Sequence, residues 1–223
     1  MPALKFVQWE FIFLISVILF ISCSSNNAGV KDLSVKDSLH RKPTIDYPDS
    51  DSSNIQNQDI FNFLKRTKKI VTDNRSEMKG IKLSFVVPEN WVELKSTNPS
   101  VAYHFYNKAL NTNLQVGLSQ PSNDNDITES IKYKLEGMFP GFLYDRLIKI
   151  DNKNGLQMEH SRTIPINNTT SYVNTSTMVF FYKTHLIIFT YGSAKIGKED
   201  TNQNILDFRL LYRHLGKTIK VLE

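Results

Sequence analysis

The residue types that most often carry chemistry are sparse in this chain: one cysteine, Cys23, and five histidines, His40, His104, His160, His185 and His214. A lone thiol cannot close an intrachain disulfide, so an exported domain must rely on its core alone for stability. Zinc sites built on several thiolates are excluded for the same reason. The histidines form no His-x-x-x-His or Glu-x-x-His pair that would put two ligands on one helical face. Glu159 and His160 are adjacent, and in a strand adjacent side chains point to opposite faces. Gly192-Ser193 follows an apolar stretch, but no second glycine stands at the spacing of a nucleophile elbow, and a turn accounts for the pair. No phosphate loop and no dinucleotide glycine motif occurs. These residues predict a protein that is not an enzyme, with no catalytic, cofactor-binding or metal-ligating position and no cofactor.

Cys23 is the exception, because of what precedes it. Lys5 gives a basic start, and Phe11–Ile21 is an apolar run of 11 residues preceded by Glu10. A membrane-spanning helix needs about 20 apolar residues, whereas a secretory signal needs about this many. Large Phe20 and Ile21 do not suit an ordinary signal cleavage site, which has small residues before the cut. Phe20-Ile21-Ser22-Cys23 instead resembles the lipobox of bacterial lipoproteins, with Phe20 in place of the usual Leu. The resemblance implies that residues 1–22 are a signal peptide and that the Cys23 thiol is the lipid attachment point. It would carry a diacylglyceryl group and often a third, palmitate-type chain. Buried acyl chain contributes about 0.8 kcal/mol per CH₂, so several chains give near-permanent anchoring. Ser24 is not the Asp of inner-membrane retention, which predicts an outer-membrane site facing the periplasm. The competing reading is an uncleaved anchor in which Cys23 is incidental.

Loss of 22 of the 223 residues leaves 201, one ordinary domain plus a tail. The net charge of +5 is unchanged, since Lys5 and Glu10 leave together. That mild excess predicts no nucleic-acid partner, which would need Lys and Arg clustered on one face. Lys65-Arg66 and Lys68-Lys69 form the tightest cluster, read as the solvated side of a helix. Residues 23–57 are rich in Ser, Asn and Asp and hold Pro43 and Pro48. Such a segment cannot bury enough surface to offset its ordering entropy, and it predicts a flexible linker. The folded domain is expected over residues 58–223.

The spacing predicts a first helix over Asp59–Val71, capped by Asp59. From Ile81 the period is two: Ile81, Leu83, Phe85 and Val87 share one face of a strand that Pro88 ends. Val101–Tyr106 and Leu114–Leu118 read as the next strands. Asp126 and Glu129 predict a capping box ahead of an amphipathic helix through Ile127, Ile131, Leu135 and Met138. Phe142–Ile150 and Leu156–Ile164 read as a hairpin, and Tyr172–Tyr182 and His185–Tyr191 as another around Lys183-Thr184. Leu186-Ile187-Ile188-Phe189 is apolar throughout, which predicts a central strand covered on both faces. A last helix starts near Thr201, with Ile205, Phe208, Tyr212 and Leu215 on one face and Arg209 and Arg213 on the polar side.

Strand runs joined by short turns, with a helix ahead, between and after, predict an α+β domain: a mostly antiparallel sheet with helices packed on it. Ile-Lys-Leu-Ser-Phe-Val-Val-Pro-Glu-Asn-Trp over Ile81–Trp91 resembles the opening of Mog1/PsbP-like domains, with a similar element order. That resemblance implies a layered sandwich and a small accessory or binding protein, with no shared active site. The expected function is a membrane-anchored, non-enzymatic accessory lipoprotein whose partners are the membrane, through its lipid, and another cell-envelope protein. The abundant aromatics support an alternative, a small-ligand or glycan-binding module of the envelope.

Overall fold

The period-two segments become the strands of two antiparallel sheets. The computed structural model describes residues 55–119, 121–128, 131–132, 142–166, 169–196 and 202–222. The apolar run, Cys23 and the polar segment up to residue 54 lie outside the described residues, as do Leu135 and Met138 of the amphipathic helix. In chain order the elements are α1 (Gln58–Lys65), β1 (Thr67–Val71), a 3₁₀ turn (Ser76–Met78), β2 (Lys82–Pro88), β3 (Val92–Leu94), β4 (Val101–Asn107) and β5 (Thr112–Leu118). They continue with β6 (Phe142–Ile150), β7 (Lys153–Ile166), β8 (Thr169–Tyr182), β9 (His185–Ile196), α2 (Asn202–Gly216) and β10 (Lys220–Leu222). The strands form a three-stranded sheet, β1-β2-β10, and a seven-stranded sheet, β3-β4-β5-β9-β8-β7-β6. Each neighbouring pair is antiparallel. This is the α+β architecture that the strand-and-turn order predicts.

The first helix differs from its expected span. It stops at Lys65, and Thr67–Val71 is a strand paired with β2. Ile60, Leu64, Thr67 and Val71 keep a helical spacing, but Thr67, Ile70 and Val71 are β-branched and pack well on a pleated surface. The open backbone of β2 decides between the two. The cap also differs: Asn57 Oδ1 accepts from the backbone N–H of Asp59 and Ile60 at 3.0 and 3.3 Å. The basic cluster therefore spans a helix end and an edge strand, and Lys68 Nζ donates to the carbonyl of Trp91 at 2.6 Å.

β2 presents Leu83, Phe85 and Val87 inward, together with Ile81 just before it, each at most 2% exposed. Phe85 meets Phe189 of β9 edge-on at 5.2 Å, Phe105 at 6.1 Å and Tyr103 at 6.4 Å, so the small sheet packs on the large one through an aromatic cluster. Trp91 is fully buried in this core. Helix α2 adds Leu210, Leu211, Tyr212 and Leu215 to the same layer, with Phe208 packed against it. The opposite face of the large sheet carries a second cluster, in which Leu156, Met158, Val179, Phe181 and Leu186 pack with Ile127 and Ile131. β9 lies between β5 and β8, with Ile187 and Phe189 in the first cluster and Leu186 in the second. It is the doubly covered strand that its unbroken apolar run predicts.

Turns follow the local chemistry. Asp151 and Asn152 both take positive φ, 48° and 65°, and join β6 to β7 in a two-residue hairpin of the primed type. Thr128, not Asp126, caps the second amphipathic segment: its Oγ1 accepts from Ile131 N at 3.3 Å and its carbonyl from Lys132 N at 2.9 Å. Asp126 instead takes the N–H of Ile127 and the Nδ2 of Asn154. Gly192-Ser193 is not a turn. β9 continues through it to Ile196, and Gly192 sits opposite Asn113 and Thr175. A paired strand on each side supplies the backbone partners that a turn would have given up. Gly117 is required by close approach, since a Cβ there would lie 2.2 Å from the carbonyl oxygen of Ser100. β3 and β10 are three residues each, too short for the sequence to show a period. No helix among the described residues is long and apolar enough to cross a membrane.

Candidate functional site

Alternate positions of β7 face helix α2, and they carry Gln157 and Glu159. Glu159 is 1% exposed and sits between two arginines of α2. Its Oε1 accepts from Arg213 Nε at 3.1 Å, with Arg213 Nη2 at 3.0 Å, and its Oε2 pairs with Arg209 Nε at 3.0 Å. The Arg213 side chain is 0% exposed and that of Arg209 13%. The expectation that both arginines lie on the polar side of the helix is therefore corrected: they point into the protein. A four-residue step puts them one above the other on one face, and only a carboxylate across the interface lets that face be buried.

The network extends towards the sheet edge. Gln157 Nε2 donates to Glu159 Oε1 at 2.9 Å and to Ser176 Oγ of β8 at 3.1 Å. Gln157 Oε1 accepts from Arg146 Nε of β6 at 3.1 Å. One chain of hydrogen bonds thus runs from Arg146 through Gln157 and Glu159 to Arg213. A groove of about 250 Å³ opens along this chain, between β6 and the last turn of α2. Arg146, Lys149, Gln157, Met178, Arg213 and Lys217 are among the residues that line it. Its volume lies just below the range of about 300–1,000 Å³ usual for drug-sized ligands.

A second polar constellation occupies the corner where β3, β4 and the segment after β1 meet. Arg75 pairs with Asp73 at 3.0 Å and with Glu93 at 2.6 Å, donates to the carbonyl of Ala102 at 2.8 Å, and lies 3.9 Å over the Tyr103 ring. Tyr103 OH donates to Asp73 Oδ1 at 2.8 Å. That hydrogen bond, helped by Arg75, holds the Asp73 carboxyl below its ordinary value. Burial pushes the Tyr103 hydroxyl up to about 12, which suits it to donate a hydrogen bond and not to act as a base at neutral pH. The corner is a clamp on the backbone. Burial also raises Tyr191, which stacks on Tyr212 at 5.2 Å. It lowers His214, with help from nearby Lys217.

The described histidines are not brought together. Cys23 and His40 lie outside the described residues. His104 stands on β4 opposite Leu94, His160 on β7 opposite Thr175, His185 at the start of β9 and His214 on α2. Among the described residues no three His, Cys, Asp or Glu side chains group to hold a metal ion. Sequence reasoning missed the Glu159 cluster, because Arg213 lies 54 residues away in the chain. The available signal was the repeat of arginine at positions 209 and 213 beside Leu210, Leu211 and Leu215.

No family model matches the chain, and no curated protein matches it. Solved structures with a similar backbone include a Bacteroides thetaiotaomicron VPI-5482 protein, 13% identical over 70% of this chain, with a TM-score of 0.45. That match spans 48%, about half, of the Bacteroides chain. LpqN, involved in cell envelope biogenesis of Mycobacterium tuberculosis, is 11% identical over 73% of this chain and 96% of its own, with a TM-score of 0.45.

Proposed function

We propose that this chain is a lipid-anchored accessory protein of the bacterial cell envelope, non-enzymatic, which binds another envelope protein. The observation that carries the reading is the order of an 11-residue apolar run, Ser22-Cys23, and a polar segment leading to a packed domain. The layered antiparallel sheet and the buried Trp91 after Pro88 support a Mog1/PsbP-like domain for residues 58–223. The titratable groups in tight contacts, Asp73, Glu93, Tyr103 and Glu159, each clamp one element to another, which supports a binding role over catalysis. An edge supports the partner: β3 borders the large sheet and β1 the small one, and each carries an exposed valine, Val92 at 61% and Val71 at 54%. The test is affinity capture of the full chain from detergent-solubilised membranes of its own organism. A stoichiometric envelope protein, lost when Val71 and Val92 are both replaced by Lys, supports the reading. Repeated recovery of the bait alone overturns it.

A further inference from the structure

We infer that the outer face of the small sheet, β1-β2-β10, is the surface this domain lays against an anionic lipid bilayer. The assignment rests on the membrane tether proposed above and names the face that the tether brings to the lipid. In β2 Leu83, Phe85 and Val87 fill the core, so the alternate positions face outwards. The pairing register puts Lys69 and Val71 of β1 on that outer face, opposite Val86 and Ser84. It puts Lys220 and Leu222 of β10 there too, opposite Ser84 and Lys82. Lys69, Lys82 and Lys220 thus stand on three different strands of one face, and all three are exposed. The basic cluster near the end of α1 divides accordingly. Lys65 lies over the Phe61 ring at 4.7 Å and Lys68 turns to the Trp91 carbonyl, which leaves Lys69 for the outer face.

A solvated sheet face ordinarily mixes both signs, because opposite charges pair across strands and like charges repel. Here none of the three lysines makes an ion pair or hydrogen bond among the described residues. The paired positions of the face carry no carboxylate either. Carboxylates at its margins are engaged elsewhere. Asp73 pairs with Arg75 and accepts from Tyr103, and Asp151 accepts from Val221 N at 2.8 Å. Glu89 lies past the end of β2, where its N–H donates to the carbonyl of exposed Arg66 at 2.8 Å. Cations without a counter-ion suit a surface that supplies the negative charge itself. Lipid fits better than nucleic acid or an acidic protein for two reasons. Val71, 54% exposed, and half-buried Val86 and Leu222 stand among the lysines, and such side chains suit the boundary between head groups and acyl chains. The polar segment also reaches the packed domain at Ile55 with α1 as the single element before β1, so a tether delivers this sheet to the membrane. The β1 edge stays open at the side, so a protein partner there is compatible with lipid against the face.

The test reconstitutes the full chain into vesicles of phosphatidylcholine, alone or with about one third phosphatidylglycerol, at about 0.1 M salt. Flotation shows whether the vesicles hold the chain. Amine acylation read by peptide mass spectrometry shows which lysines the bilayer covers, with exposed Lys108 and Lys149 as internal references. On the anionic vesicles acylation of Lys69, Lys82 and Lys220 should slow by about fivefold relative to these references. The effect should vanish at about 1 M salt, where the screening length falls to about 3 Å. The Lys82→Glu/Lys220→Glu variant should lose most of the protection at Lys69. Both substituted residues are exposed, so an unchanged denaturation midpoint confirms that the fold survives. Equal acylation on the two kinds of vesicle, by a chain that floats with both, overturns the inference and leaves the tether standing. Equal protection of Lys108 and Lys149, or wild-type protection of Lys69 in the variant, does the same. A chain that does not float with phosphatidylcholine vesicles overturns the tether and the inference with it.

Discussion

Glu159 is a carboxylate that two guanidinium groups require. Breaking a buried ion pair from one side leaves an uncompensated charge, which costs about 3–5 kcal/mol, while replacing the pair by apolar groups is often neutral. Glu159→Gln is therefore expected to lower the unfolding free energy by about 3–5 kcal/mol, and Glu159→Leu/Arg213→Met to recover much of that loss. Urea denaturation of the three proteins decides it. A Glu159→Gln variant within about 1 kcal/mol of wild type shows that the cluster clamps nothing. Thr112 tests the opposite case. It is fully buried, and its hydroxyl has no hydrogen-bond partner among the described residues. Thr112→Val keeps the shape and removes the unpaired group, so it should stabilise the fold by about 1 kcal/mol. A loss of stability would instead reveal a bound water at that hydroxyl. At this scale the core was legible: the alternation around Leu83, Phe85, Leu114 and Val116 names side chains that are at most 1% exposed. Arg213 was not legible, since charge on a helix reads as solvent-facing until its partner is known.

The elements whose signal lies within one segment could be read, and those fixed by a distant neighbour could not. β6 has the bounds its sequence predicts, because its apolar alternation and the Asp151-Asn152 turn are both local. The span from Thr67 to Val71 reads as helix until β2 is placed beside it. The same non-local logic fixes the start of the domain. Ile55 is buried in the core, and Asp207 of α2 accepts from the backbone N–H of Gln56 at 3.2 Å and of Asn57 at 2.6 Å. Asn57 in turn caps α1. Asp207 thus ties the first helix to the last across 150 residues. Asp207→Ala strands these two donors, and a hydrogen bond to a charged group is worth about 1.5–3 kcal/mol. The expected result is a loss of about that size, with faster amide exchange at Gln56 and Asn57 and little change in β7 and β8. Uniform acceleration across the sheets would mean that the tie supports the whole fold and not the junction.

For the whole molecule the decisive quantity is how the domain is held. Described contacts begin at Ile55, so a chain starting at Cys23 would have roughly 30 residues between the anchor and the packed domain. Under the proposed tether, a polar coil of that length would reach about 30 Å, on the order of a bilayer thickness. A domain on such a tether can meet a partner in or beside the membrane without entering it. The alternative, residues 1–22 retained as an anchor, gives the same reach but a different attachment, and Cys23 separates the two. If the thiol carries the lipid, Cys23→Ser removes every acyl chain, and the uncleaved apolar run of 11 residues is too short to span the bilayer stably. The variant should lose diacylglyceryl labelling and keep residues 1–22 attached. Wild type should show an intact mass lacking those residues and increased by its acyl groups. Intact-mass spectrometry of both proteins, extracted from membranes, reads the difference directly. Wild type that retains residues 1–22 on an unmodified thiol, with Cys23→Ser equally well retained in the membrane, overturns the lipid tether and leaves the apolar run itself as the anchor.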